Sequence, residues 1–252
     1  MEKSEWNGYR RIDFLFEGRE SVLICPTQPR SDGKWLFKTE YFGAFPKFEL
    51  GMLARGYYVA HMKSITRWCP PEDTAARARF CAYLAREFGL AERCMPVGMS
   101  CGGMQAVYLA SYAPERVAAL YLDAPVMNLL SCPCGIGHAK NTLYEEFVRA
   151  TGRTVADLIN DRNQPVDHID RLLKHGLPVA LVCGDRDGLV PYEENGKVLS
   201  DRYRQAGGKL LEILKAGCDH HPHGLDDPTP LYAFAERFYG DDGCVPAHNL
   251  EI

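Results

Sequence analysis

No apolar run in this chain approaches the roughly 18 residues needed to cross a bilayer. The N-terminus, Met1-Glu2-Lys3-Ser4-Glu5-Trp6, lacks the apolar core of a secretory signal. The expectation is a cytoplasmic protein with no membrane partner. Basic surplus is also missing: 29 Lys and Arg stand against 33 Asp and Glu, a formal charge of −4. That leaves no electrostatic footprint for nucleic acid. There is no C-x-x-C pair, no H-E-x-x-H helix, no internal repeat and no low-complexity linker, so neither a metal nor another cofactor is expected.

Cysteine itself is not scarce. Of the ten cysteines, Cys25, Cys94 and Cys183 lie in or beside expected core strands and Cys81 in an expected helix. Thiols in such places behave as small hydrophobes, and reduced thiols are the expectation here. Cys132-x-Cys134 has the wrong spacing for a redox pair, and no second pair completes four ligands. It reads as a tight loop holding two thiols.

What is present is an ordinary enzyme composition, 46% hydrophobic and 25% charged over 252 residues. This fits a single α/β domain over 1–252. Residues 9–16 and 20–26 read as a hairpin around Glu17-Gly18-Arg19, and a polar loop then leads into Trp35-Leu36-Phe37-Lys38. Strands are expected at 57–62, 117–122, 178–183 and 209–214. Helices are expected at 45–55, 72–88, 101–113, 192–206 and 229–239. A hairpin followed by strand–helix alternation predicts a mostly parallel sheet with helices on both faces. Between Asn128 and Gly176 no core strand is evident, only turns and polar helices such as 142–150. This stretch, 128–176, is expected to be an inserted helical cap over the site. The tail Gly240–Ile252 is expected to be loosely ordered.

The chain is organised around Met95-Pro96-Val97-Gly98-Met99-Ser100-Cys101-Gly102-Gly103. An apolar strand ends in G-x-S-x-G and a helix follows at once, the context that exposes a serine on a strained turn. Ser100 is the candidate nucleophile. Strand 178–183 runs into Gly184-Asp185-Arg186-Asp187-Gly188-Leu189-Val190-Pro191, which offers two acids at the rim of a parallel sheet. Asp187, deeper in the loop, is preferred as the partner of a histidine. After the last strand comes Gly217-Cys218-Asp219-His220-His221-Pro222-His223-Gly224. Spacing from the glycine favours His220 as base, with His221 and His223 left to line the pocket or pack. A metal on Asp219 and the three histidines is disfavoured, since adjacent residues rarely point at one ion.

In this reading His220 takes the Ser100 proton, Ser100 attacks an ester carbonyl, and water hydrolyses the acyl-enzyme. The oxyanion needs two backbone donors. One is the Cys101 N–H at the helix start. The other is sought in the loop after strand 20–26, between Thr27 and Trp35, and Trp35 is chosen. Met99, Glu194 and His221 are candidate pocket residues. Glu194 and Asn195 are weighed as orienting the histidine loop, binding sugar hydroxyls, or merely opening a helix. Trp35, Phe37, Trp68 and His138 are weighed as a sugar-stacking wall against ordinary core.

These three motifs, in this order, resemble the α/β-hydrolase superfamily over nearly the whole chain. The Ser-x-Gly-Gly elbow and the His-His-Pro-His ending resemble esterases of the prolyl-oligopeptidase and acetylxylan-esterase-like branch. The resemblance implies an eight-stranded core and a Ser100–Asp187–His220 triad. It also implies hydrolysis of a small acetyl-like ester on a carbohydrate or similar metabolite, with a serine peptidase or a binding protein on the same fold as the alternatives. One departure is visible: Cys25-Pro26-Thr27, and not a His-Gly pair, follows the second core strand. The oligomeric state is left open.

Overall fold

The structure, a computed structural model, describes residues 2–140 and 143–240. Gly240 is the last described residue, so the expected loose tail lies outside the described residues, as does Thr142 of the expected helix 142–150. Among the described residues nine strands form one sheet in the order β1-β2-β3-β5-β4-β6-β7-β8-β9. They are β1 (Glu2–Trp6), β2 (Tyr9–Phe16), β3 (Arg19–Cys25), β4 (Trp35–Lys38), β5 (Tyr58–Met62), β6 (Met95–Met99), β7 (Leu120–Asp123), β8 (Val179–Gly184) and β9 (Leu210–Lys215). The first three strands and the β3–β5 pair are antiparallel, and β5 through β9 run parallel.

The sheet is therefore mixed and nine-stranded, which corrects the eight-stranded expectation. The added strand is β1. Its sequence, Glu-Lys-Ser-Glu-Trp, carries no apolar alternation because it is a polar edge strand with a single neighbour. The signal that betrays it is the turn: Asn7 and Gly8 adopt φ of 49° and 81°. An Asn-Gly pair is the preferred type I′ hairpin connection.

Successive residues of the parallel strands bury opposite faces. Phe37, Leu122 and Leu181 pack with α2 (Pro71–Phe88), α3 (Cys101–Tyr112), α6 (Ile169–Lys174) and α7 (Gly196–Gln205) through Phe80, Val107, Leu172 and Leu199. Leu36, Tyr121 and Val182 pack on the other side with α1 (Lys47–Ala54) and α8 (Thr229–Ala235) through Phe48, Met52 and Phe234. Strands covered on both faces are apolar throughout, as β6 and β8 are. Local chemistry sets the helix ends. For α2, Pro71 occupies the first helical position, Glu72 and Asp73 face the positive end, and Gly89 closes it with a left-handed φ of 67°.

Between β7 and β8 no strand interrupts the described residues. α4 (Tyr144–Thr151) and α5 (Val155–Ile159) bury Phe147 and Leu158 in a third cluster with Trp68, Cys101, Met104 and Val190. These short helices thus rest beside the first turn of α3. α6 instead packs against α3 and α7 as a layer helix. No helix among the described residues is long and apolar enough to cross a membrane.

Candidate active site

β6 is buried at every position and ends at Met99, and α3 starts at Cys101. Ser100, between them, has φ 53° and ψ −120°, a conformation L-residues with a Cβ rarely adopt. Three contacts hold it there: its N–H donates to the Asp123 carbonyl at 2.9 Å, and its carbonyl accepts from Gly103 and Val126. The flanking glycines are sterically required. A Cβ on Gly98 would stand 2.3 Å from the Gly102 carbonyl oxygen, and one on Gly103 2.5 Å from Pro125 Cβ.

The structure brings Ser100, His220 and Asp187 into one line. His220 Nε2 lies 3.2 Å from Ser100 Oγ, and its Nδ1 lies 2.7 Å from Asp187 Oδ2. A carboxylate on Nδ1 fixes the proton there and leaves the Nε2 lone pair facing the hydroxyl. All three side chains are buried, with exposures of 9% for Ser100, 6% for Asp187 and 5% for His220. The second oxygen of Asp187 accepts the Leu189 and Val190 N–H groups, which locks the carboxylate in its loop.

Asp185, the competing acid, instead accepts the Gly217 N–H at 2.6 Å. Asp219, which sequence reasoning treated only as a possible metal ligand, accepts the N–H of Gly188 at 2.9 Å and of His220 at 2.7 Å. Together these bonds lace the acid loop to the histidine loop. The other histidines separate. His221 is exposed and stacks on Phe45, with ring centroids 5.7 Å apart. His223 is buried, and its Nδ1 lies 2.6 Å from Asp123 Oδ1.

Asp123 is the residue the sequence reading missed. It ends β7, its carboxylate also accepts the Tyr121 hydroxyl and the Gly224 N–H, and it is 1% exposed. Burial pushes its pKa up, but the His223 and Gly224 donors outweigh that and hold it below the usual carboxylate value. Its signal was available: an acid at the carboxyl end of a parallel strand, next to the nucleophile strand.

Trp35 is a correction. It lies inside β4, fully buried, and its N–H donates to the Tyr239 hydroxyl at 3.0 Å, so it has no donor to offer an oxyanion. β3, whose exit loop was searched, pairs with β2 and β5 and does not neighbour β6. β4 does. Its exit loop carries Thr39, Glu40 and Tyr41, and Thr39 Oγ1 donates to the Gly102 carbonyl at 2.7 Å. A Cβ built on Gly102 would meet the Glu40 backbone nitrogen at 3.4 Å, so this loop lies against the start of α3.

Cys101 is buried, and burial pushes its thiol up to about 11, so it stays protonated at neutral pH. Met99 lines a cavity of 230 Å³ with Phe45, Lys215, His223 and Leu225, and neither Ser100 nor His220 lines it. The Glu194 carboxylate accepts from Ser131 Oγ at 2.5 Å and from the His138 N–H at 2.7 Å, pinning the loop after β7. Asn195 Oδ1 accepts the Met127 and Asn128 N–H groups. Trp35, Phe37 and Trp68 are core, and only His138 of the proposed aromatic wall is exposed.

No protein-family model matches this chain, and no curated protein does. Solved structures do. The chain is similar to a dipeptidyl peptidase 4 from Porphyromonas gingivalis, with 14% identity and a TM-score of 0.68, over 93% of this chain and 35% of that one. It is similar to a puromycin-hydrolyzing peptidase from Mycobacterium tuberculosis, with 15% identity and a TM-score of 0.70, over 92% of this chain and 39% of that one. It is also similar to an acylaminoacyl peptidase from Pyrococcus horikoshii, with 12% identity and a TM-score of 0.64, over 93% of this chain and 42% of that one. At such identities the likeness shows the fold, and the fold is that of the α/β-hydrolases. The chain spans about two-fifths or less of the length of each of these proteins.

Proposed function

We propose that the protein is a serine hydrolase that cleaves an acyl bond through an acyl-enzyme on Ser100, with a peptide or aminoacyl amide as substrate. The observation that carries the reading is the Ser100–His220–Asp187 line on a strained turn, buried and hydrogen-bonded at both ends of the imidazole. His220 takes the hydroxyl proton as Ser100 Oγ attacks the carbonyl, then returns it to the leaving nitrogen. Water, deprotonated by the same imidazole, releases the acid and restores Ser100. The Cys101 N–H at the start of α3 and an N–H of the Glu40–Tyr41 loop receive the charge on the carbonyl oxygen.

The three similar structures are all peptidases by description, which supports an amide over the carbohydrate ester inferred from motifs. The test compares aminoacyl and dipeptidyl p-nitroanilides with p-nitrophenyl acetate on wild type and Ser100→Ala. Anilide turnover that disappears in the variant is the expected result. Turnover surviving Ser100→Ala would overturn the reading, and turnover of the acetate alone would move the substrate to a small acyl ester.

A further inference from the structure

The histidine loop holds more imidazole than one proton relay uses. His220, His221 and His223 each present a ring nitrogen, and these atoms lie within 4.8 Å of one another. The rings meet edge to face, with centroids 4.8 to 4.9 Å apart. We propose that these three histidines form a site for a transition-metal ion of the zinc type, and that occupancy shuts the hydrolase off. The shut-off rests on the functional reading above; the binding does not.

Two of the ligands are already arranged as zinc-bound histidines are. His220 Nδ1 is held by Asp187 and His223 Nδ1 by Asp123, so in both rings the free lone pair is on Nε2. A carboxylate behind a metal-binding imidazole fixes its tautomer and raises its basicity. His221 is exposed and its ring makes no hydrogen bond among the described residues, so turning onto an ion gives up its stacking on Phe45 and no hydrogen bond. Tetrahedral coordination at about 2.05 Å places ligand nitrogens about 3.4 Å apart, so ring nitrogens that lie within 4.8 Å of one another come into range by small side-chain rotations. Asp123 and Asp187 supply two negative charges directly behind the site. One neighbouring cation, Lys215, is engaged with the Pro222 and Gly224 carbonyls.

The consequence for activity follows from one lone pair. His220 Nε2 can accept the Ser100 proton or donate to a metal ion, and not both. A bound ion therefore removes the base without touching the serine. Soft-to-borderline ions that favour imidazole (Zn²⁺, Cu²⁺, Ni²⁺) should bind, while Mg²⁺ and Ca²⁺, which favour oxygen, should not.

The experiment is calorimetric titration of Zn²⁺ into the Ser100→Ala protein, which reads binding in a protein with no turnover to lose. One ion per chain is expected, weakened at least about tenfold by His221→Ala or His223→Ala, and about ten- to a hundredfold by Asp123→Asn. His221 is exposed, so His221→Ala carries the test if His223→Ala does not fold. In wild type, Zn²⁺ should abolish turnover, a chelator should restore it, and His221→Ala should need at least about tenfold more zinc, measured against its own zinc-free rate. Absence of stoichiometric binding, or binding indifferent to His221→Ala and His223→Ala, overturns the site. Binding without any effect on turnover overturns the shut-off alone, and absence of turnover in every assay is a failure of the functional reading instead.

Discussion

Asp123 and Asp187 leave neighbouring parallel strands, and each holds a different histidine of one loop by its Nδ1, His223 at 2.6 Å and His220 at 2.7 Å. The two pairs stand side by side, and only the second faces Ser100. Which acid serves the reaction is thus a matter of which imidazole reaches the hydroxyl.

Replacing Asp187 with Asn should lower kcat by about 10⁴, because the amide favours the wrong imidazole tautomer. Ser100→Ala and His220→Ala should fall at least as far, with the thermal transition retained. Steady-state kinetics beside circular dichroism read both. A hundredfold or smaller loss in Asp187→Asn would remove Asp187 from the line.

Asp123→Asn should act on stability before activity. It removes a charge-assisted bond from His223 in a fully buried place, at a cost of about 1.5–3 kcal/mol in urea unfolding. Its kcat should fall far less than that of Asp187→Asn. The reverse order would make Asp123 the working acid.

Lys38 and Glu49 form a buried pair at 2.5 Å beneath Met99, with exposures of 1% and 2%. Glu49→Ala strands the ammonium in apolar surroundings and should cost about 3–5 kcal/mol. The double change Lys38→Met with Glu49→Leu should recover most of that loss, as denaturant midpoints would reveal. If Glu49→Ala unfolds like wild type, the pair contributes nothing.

Arg67 and Trp68 both donate to Glu146 of α4, and chiefly the Arg67 hydrogen bond holds the Glu146 carboxyl below its ordinary value. A depressed folded value means the tie is fully present above about pH 4.5, the unfolded value, and is lost as pH falls through the folded one. Glu146→Gln should therefore melt below wild type at neutral pH and approach it in acid. A melting difference that grows on acidification would contradict this assignment.

Gly98→Ala drives a Cβ into the Gly102 carbonyl, and both ends of the Ser100 turn must shift. A displacement near 1 Å at a reacting atom costs about a hundredfold in rate. Kinetics on the folded variant measure it, and an unchanged kcat would show that the turn tolerates more than its contacts indicate.

The elbow, the acid loop and the histidine loop were legible because each couples a fixed local pattern to a strand end. Burial on both faces made β6 and β8 legible as apolar runs. β1 was not legible by hydrophobicity, since a polar edge strand has no core face. Trp35 was misplaced for a topological reason: β4 and β5 exchange their sequence order in the sheet, so the loop beside α3 leaves β4, not β3. Asp123 escaped notice because its partner lies a hundred residues away, and no local spacing links them.

The Tyr239 hydroxyl accepts the Trp35 N–H and donates to the Arg93 carbonyl at 2.6 Å, tying the last described turn to the root of β4. Seen as a problem of vectorial synthesis, the sheet's interior is finished from its far end. Trp35 and Arg93 leave the ribosome more than a hundred residues before the phenol that completes their bonds. A nascent chain stalled ahead of Tyr239 keeps the buried Trp35 N–H waiting, at a cost of about 1–3 kcal/mol.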